Sequence, residues 1–354
     1  MDAYGSLVLP GDGGAQLNAA AASCSDVVGA LQRLSAHGAP HTIDIAANIF
    51  VDKRVHRYLQ YSYAYANTPD NHMQGIQRVG NHLLITASDW TEPAAHLFIV
   101  ALTPDATGQL RGRLERVFAI SNETPHPGGF QVYGDIAPMA LEGEGKVKSQ
   151  VLFLNVADPS SPRLISDWSG APLTIKRDDT KASATALTVL PDGRFLLGVY
   201  YRSEIIDFYL SLDDDIRQGF SGPVTRKLRR IGNTRPDYQS IVFAQCEEAD
   251  EGVRIWMVGT RSGGKASNYV PGPNIAEITS FYLDADTLFD WPDVEIPEPV
   301  SVAGRQFTFD DKCGNFAAAA SVNIEPNGDL TLYAAHHWRD GVQLRFSICR
   351  ASFA

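Results

Sequence analysis

Five times along this chain a turn glycine sits between two apolar runs, and that recurrence constrains the fold more than any other feature of the sequence. The stretches are "QRVGNHLLITAS" (77–88), "QVYGDIAPMAL" (131–141), "TVLPDGRFLLGVY" (188–200), "FAQCEEADEGVRIWMVG" (243–259) and "NIEPNGDLTLYAA" (323–335). Their glycines, Gly80, Gly134, Gly193, Gly252 and Gly328, are 54, 59, 59 and 76 residues apart. Such spacing marks one supersecondary unit copied along the chain. A third strand-like run follows in every copy: "HLFIVALTPD", "QVLFLNVADPS", "IIDFYLSLDDD", "EITSFYLDADT" and "QLRFSICRASF". A fourth follows in the first three, as "RLERVFAIS", "PRLISDWS" and "VTRKLRRIG", while "VEIPEPVSV" and "RQFTFD" compete for that place in the fourth copy. Short alternating or apolar runs between turn signals predict four antiparallel strands per copy.

The fifth copy stops after its third strand, so its fourth must come from elsewhere. "HRYLQYSYAYAN" (56–67) precedes the first copy, alternates tyrosines with small or polar residues, and has no partner in its own repeat. Placed beside residues 344–349 it would complete the last sheet and leave no open edge. These features resemble a β-propeller. The resemblance covers roughly residues 56–354 and implies an all-β fold of five four-stranded antiparallel blades, closed by that N-terminal strand. Residues 46–354 are expected to form this one domain and residues 1–45 an extension. Within the extension "SDVVGALQRLSAHG" (25–38) predicts a short helix, capped by Ser25 or Asp26, with an apolar stripe of Val27, Val28, Leu31 and Leu34, and ended by Gly38.

Composition excludes several classes. A hydrophobic fraction of 44% over 354 residues gives ample core material, and 30 glycines with 20 prolines fit a turn-rich fold. A formal net charge of −11 carries no basic block beyond "RKLRR" (226–230), read as a solvated strand face, so neither nucleic acid nor an anionic membrane is an expected partner. "MDAYGSLVLPGDGG" lacks the charged and apolar regions of a signal peptide, and no run approaches a spanning helix, so a soluble, cytoplasmic protein is expected. Cys24, Cys246, Cys313 and Cys349 lack metal-ligand spacing and read as buried thiols. No nucleophile elbow, phosphate-binding loop, zinc-helix or dinucleotide fingerprint occurs.

In an antiparallel blade the start of the first strand lies beside the end of the second, so both emerge on one face, here called the upper face. The first-strand starts bring His72, Gln74, His126, Asp179, Lys181, Asp237, Tyr238, Gln239, Asp311, Lys312 and Asn315. The second-strand ends bring Asp89, Trp90, Glu142, Tyr201, Arg202, Arg261, His337, Trp338 and Arg339. The lower-face turns carry mainly Gly, Pro, Asp and Asn.

His72, His126, Asp89, Glu142, Asp179 and Asp237 are thus the candidate acids and bases, with Asp311 another carboxylate of the same face. Gln74, Trp90, Lys181, Tyr201, Arg202, Tyr238, Gln239, Arg261, Asn315, His337, Trp338 and Arg339 are candidate substrate contacts, since aromatic faces beside arginines suit a sugar ring or an organic anion. The histidines have a structural alternative, hydrogen bonding to neighbouring blades. A divalent metal on the carboxylate oxygens is left open, without the Asp spacing of a calcium loop to support it, and no other cofactor is expected.

The motif His-x-x-Gly-apolar-Gln appears twice, at 72–77 and 126–131, and its glycines read as close backbone approach at the crowded ring centre. The long loop "RSGGKASNYVPGPN" (261–274) reads as a lid or a plain insertion. The expected function is a hydrolase or lyase of a sugar-like or other polar organic compound. The alternative is a non-catalytic propeller that binds glycans or proteins.

Overall fold

The computed structural model describes residues 26–34, 37–38, 41–46, 73–89, 94–143, 148–201, 204–228, 237–248, 252–262, 273–284, 290–293, 296–309, 316, 319–325, 328–335 and 345–351. The described residues are all-β with one α-helix, arranged as a β-propeller. Hairpins form where the repeat predicts them. Gly80, Gly134, Gly193 and Gly328 turn with positive φ, the backbone region that glycine enters without a steric penalty. Gly252 differs. It opens the strand Gly252–Ser262, where a Cβ would lie 2.0 Å from the Tyr282 hydroxyl, so close approach and not a left-handed turn is its reason.

The first copy is a regular antiparallel meander of Met73–Val79, His82–Asp89, Ala94–Pro104 and Leu110–Ser121. The third is another, of Ala184–Val189, Phe195–Tyr201, Ile205–Leu210 and Val224–Lys227. In the fourth, Ser240–Glu248, Gly252–Ser262 and Asn274–Asp284 are followed by one strand, Val300–Phe309, that spans parts of both runs competing for that place.

The second copy departs from the pattern at both edges. Its fourth strand is split into Arg163–Leu164 and Thr174–Arg177, both paired with Ser149–Asn155. Its first strand pairs with Ile136–Glu142 at His126–Pro127, with one more bond from the Gly128 N–H to the Ala140 carbonyl and a bridge from Tyr133 to Ile136. Between them the backbone leans towards the third copy, where the Thr185 N–H donates to the Gly129 carbonyl at 3.0 Å. Pro138 on the facing strand has no N–H to hold it back.

The fifth copy, Ala320–Ile324, Leu330–Ala335 and Arg345–Ala351, gains its fourth strand from His41–Ala46. The expected donor, 56–67, lies outside the described residues, and the place beside Arg345–Ala351 belongs to His41–Ala46, in register from His41 opposite Arg350 to Ala46 opposite Arg345. Ile43 and Ile45 point into the core in period-two alternation. The same strand touches the first copy in parallel, at Ile45–Gly112 and Ala46–Arg113, so the first and fifth copies read as one eight-stranded sheet. The described strands therefore form four sheets instead of five separate ones.

Apolar side chains gather in five clusters, each drawn from two copies. One packs Phe208 against Phe243 and Phe281, and the others gather Val258 with Leu332, Tyr333 with Ile76 and Phe98, Leu97 with Met139, and Phe153 with Leu197. At about 1.5–3 kcal/mol for each large side chain fully removed from water, these seams hold the sheets to one another. The helix Val27–Arg33, capped by the Asp26 carboxylate on the Gly29 N–H, buries Val27, Ala30, Leu31 and Leu34 in the seam between the fourth and fifth copies. It stops at Arg33, before Gly38, which pairs in parallel with Phe309. Among the described residues no helix is long and apolar enough to cross a membrane.

The repeated motif does its structural work at the centre. A Cβ on Gly129 would sit 2.2 Å from the Gln239 carbonyl, and one on Gly75 would sit 2.8 Å from the Gly129 Cα, so only glycine lets these first strands meet. The glutamines then tie them. Gln77 donates to Ser321 Oγ at 2.5 Å. Gln131 donates to the Phe243 carbonyl at 2.8 Å and accepts from the Phe243 and Leu187 N–H groups at 2.7 and 3.1 Å. Towards the lower turns a cavity of about 150 Å³ is lined by Gln77, Gln131, Thr188, Gln245 and Asn323.

Candidate functional site

The register confirms that first-strand starts lie beside second-strand ends: His126 is the cross-strand partner of Glu142, Ala184 of Tyr200, and Ser240 of Thr260. Four predicted residues meet there. Gln74 Nε2 lies 2.7 Å from His126 Nε2, and His126 Nδ1 lies 3.6 Å from Glu142 Oε2. Lys181 Nζ reaches Glu142 Oε1 at 2.5 Å. Ser183, which sequence reasoning missed, donates to Glu142 Oε2 at 3.2 Å. The first copy supplies Gln74, the second His126 and Glu142, and the lead-in to the third Lys181 and Ser183.

Burial by itself would push the Glu142 carboxyl up. Hydrogen bonding and charge from His126, and then from Lys181, outweigh it and hold the group at about 2. Glu142 is therefore a standing carboxylate at neutral pH. Its side chain is 7% exposed, against 21% for His126 and 46% for Lys181, so a sealed anion sits under two reachable partners. The Gln74 amide nitrogen faces Nε2 and the carboxylate faces Nδ1, a placement that in the neutral ring suits a proton on Nδ1. This is the tautomer that a carboxylate behind an imidazole enforces, and it leaves Nε2 as the proton acceptor.

Tyr238 and Arg261 meet elsewhere on the same face, around a residue that sequence reasoning missed. Tyr238 donates to Glu277 Oε2 at 3.0 Å, and Arg261 Nη2 pairs with Glu277 Oε1 at 2.6 Å, all three side chains being buried. Burial first, and the Glu277 charge second, push the Tyr238 phenol well above its ordinary value. The signal for Glu277 was a lone carboxylate inside the apolar strand Asn274–Asp284, a position that needs a cationic partner. Gln239 contributes its backbone, donating to the Thr260 carbonyl and crowding Gly129.

Tyr201 is not with the upper-face group. Alternation along its strand sends Tyr200 onto Tyr238, ring centroids 5.3 Å apart, and Tyr201 to the other side under the Arg177 guanidinium at 5.1 Å. Asp179 and Asp237 are exposed and form no pair with Glu142. Asp89 is described as backbone only, opposite Ala94. His72, Trp90, Arg202, Asp311, Lys312, Asn315, His337, Trp338 and Arg339 lie outside the described residues, as does most of the long loop after Ser262. Among the described residues no three His, Cys, Asp or Glu side chains are grouped to hold a metal ion.

No family model matches the chain, and no curated protein matches it. Solved structures give distant likenesses. One is a thermostable family-43 glycoside hydrolase, at TM-score 0.43 and 9% identity over 81% of this chain and 91% of that one. A second is the Bombyx mori GH32 beta-fructofuranosidase BmSUC1, at 0.42 and 10% over 85% and 66%. A third is a mutant of AofleA from Arthrobotrys oligospora, at 0.37 and 9% over 85% and 81%. None of these likenesses assigns a residue or an activity to this chain.

Proposed function

We propose that the chain is a five-bladed propeller enzyme, a hydrolase or lyase of a small polar, sugar-like compound, working on the upper face with His126 as its proton carrier. Support for five blades comes from the five apolar seams and from the lower cavity, to which each copy's first strand contributes one polar residue. The two-residue parallel bridge is then the meeting of blades one and five, closed by His41–Ala46, a strand that crosses the expected boundary between residues 45 and 46.

The observation that carries the activity is the Gln74–His126–Glu142–Lys181 array assembled from three copies. His126 Nε2 takes the proton of a substrate group or water that replaces the Gln74 amide, Glu142 stabilises the imidazolium, and the imidazolium returns the proton to the departing oxygen. Lys181, half exposed, is placed to hold a hydroxyl or carboxylate of the substrate. Two carboxylates working as acid and base are less well supported, because Glu142 is held ionised and the other described candidates stand apart.

The test is turnover of a panel of nitrophenyl glycosides, sugar lactones and uronides by the intact chain and by His126→Gln. A loss of about 100-fold or more in kcat with an unchanged melting curve is the expected result. Undiminished turnover in a folded His126→Gln sinks the proposal. A second reading, a glycan-binding propeller without turnover, is favoured by the pairing of two buried upper-face carboxylates with cations, Glu142 with Lys181 and Glu277 with Arg261. Binding of a panel member with no turnover by the wild type would select it.

A further inference from the structure

Residues 178–183 carry the chain from the last strand of the second copy to the first strand of the third, and from this crossing Lys181 reaches back to Glu142. The crossing has little of its own to hold it. Asp178, Asp179 and Lys181 are exposed and Thr180 partly so, and no N–H from 178 to 182 bonds to the backbone of another described residue. Left to itself, a lysine on such a segment would spread over many rotamers.

Two cations hold its backbone instead. Where the crossing starts, Lys148 Nζ donates to the Asp178 carbonyl at 2.8 Å, and three residues on, Arg177 Nε donates to the Lys181 carbonyl at 2.9 Å. Arg177 can serve as an anchor because its guanidinium is itself fixed. Its side chain is sealed, and Nη2 donates to Asp207 Oδ2 and Nη1 to the Tyr209 hydroxyl, both at 2.7 Å, with both partners on Ile205–Leu210 of the third copy. The Tyr201 and Tyr209 ring centres lie 5.1 and 5.9 Å from the guanidinium carbon. A planar group bonded in three directions presents its Nε–H along one line, so the Lys181 carbonyl takes its place from the clamp.

We infer that Arg177 is a positioning residue for the upper-face array: by holding the Lys181 carbonyl it sets where the Lys181 ammonium stands against Glu142, with Lys148 steadying the start of the crossing. The pair that fastens the second copy to the third thereby also sets the charge balance beneath His126. Being sealed, Arg177 touches no substrate and acts on the site through Lys181. Its bearing on turnover rests on the reading of His126 as proton carrier; the placement of the ammonium does not.

Arg177→Lys in the intact chain is the test, since a lysine keeps a cation for Asp207 and offers no Nε–H to the carbonyl. The readout is the NMR titration midpoint of the Glu142 side-chain carboxyl, which needs no substrate. With the ammonium released, the midpoint should rise from about 2 by about one pH unit. It should move in the same direction in Lys148→Met, where the side chain replaced is exposed. Tyr209→Phe removes one clamp bond but spares Nε, and should leave the midpoint in place. Once Lys181→Met has taken the ammonium away, Arg177→Lys should add nothing. The inference is overturned by a midpoint that neither Arg177→Lys nor Lys148→Met moves, by one that Tyr209→Phe moves as far as Arg177→Lys does, or by a rise that persists at full size in the Lys181→Met background. If Arg177→Lys does not fold, Lys148→Met decides by the same criteria. Absence of turnover in the wild type would sink the reading of His126 and leave these midpoints as they are.

Discussion

Two ion pairs four residues apart in the chain, Arg177–Asp207 and Lys181–Glu142, have nearly the same N···O separation, 2.7 and 2.5 Å, and very different surroundings. Both partners of the first are sealed, at 0% and 4% side-chain exposure. In the second the cation is 46% exposed and only the carboxylate, at 7%, is sealed. The sealed pair carries further bonds to Tyr209, Thr225 and the Lys181 carbonyl and acts as a clamp between two copies. The half-open pair leaves a standing negative charge under an imidazole, with a cation that can be drawn away. Burial of the cation, more than distance, separates the two pairs.

Breaking the clamp should have the largest effect. Asp207→Ala leaves the Arg177 guanidinium buried without its counter-charge and should lower unfolding free energy by about 3–5 kcal/mol, read from urea titrations. A loss below about 1 kcal/mol would show that water reaches the pair and would erase the contrast.

The half-open pair should instead be visible through pH. The Glu142 carboxyl has a folded value of about 2 against an ordinary 4.5, so protonation favours the unfolded chain. Its contribution, about 3 kcal/mol, is complete above about pH 5, declines as pH falls, and is gone below about 2. Wild-type stability minus that of Glu142→Gln, measured from pH 6 to pH 2, should shrink over this window. Parallel curves would mean that His126 and Lys181 do not hold the carboxylate.

A smaller effect is expected from the neutral knot that Gln131 ties between the second, third and fourth copies. Gln131→Leu strips a partner from the Leu187 and Phe243 N–H groups and from the Phe243 carbonyl, at a cost of about 2 kcal/mol. Calorimetric melting should register it, and a neutral result would mean that water takes over the knot.

The upper-face group was legible because strand registry is local. Once Gly80 and Gly134 are placed as turns, period-two geometry brings the starts of first strands beside the ends of second strands, and Gln74, His126, Glu142 and Lys181 follow. What stayed hidden depends on distance or on burial. His41–Ala46 pairs with residues some 300 positions away, and its only local sign is the Ile43/Ile45 alternation. Tyr201 was assigned to the face that Tyr200 occupies, since a one-residue difference along a strand reverses the side chain's direction. Arg177 and Asp207 resemble ordinary surface charges in the sequence, and only the packing of the second and third copies against each other reveals them as a clamp.

The central claim is that His126 and Lys181, brought by the second copy and the lead-in to the third, keep Glu142 ionised beneath a reachable imidazole. Carbon-detected NMR titration of the Glu142 side-chain carboxyl, in the wild type and in Lys181→Met, tests it directly. The account predicts a midpoint at about 2 in the wild type, moving towards the ordinary 4.5 when the ammonium is removed. A wild-type midpoint already near 4.5, or one that Lys181→Met leaves in place, would contradict it.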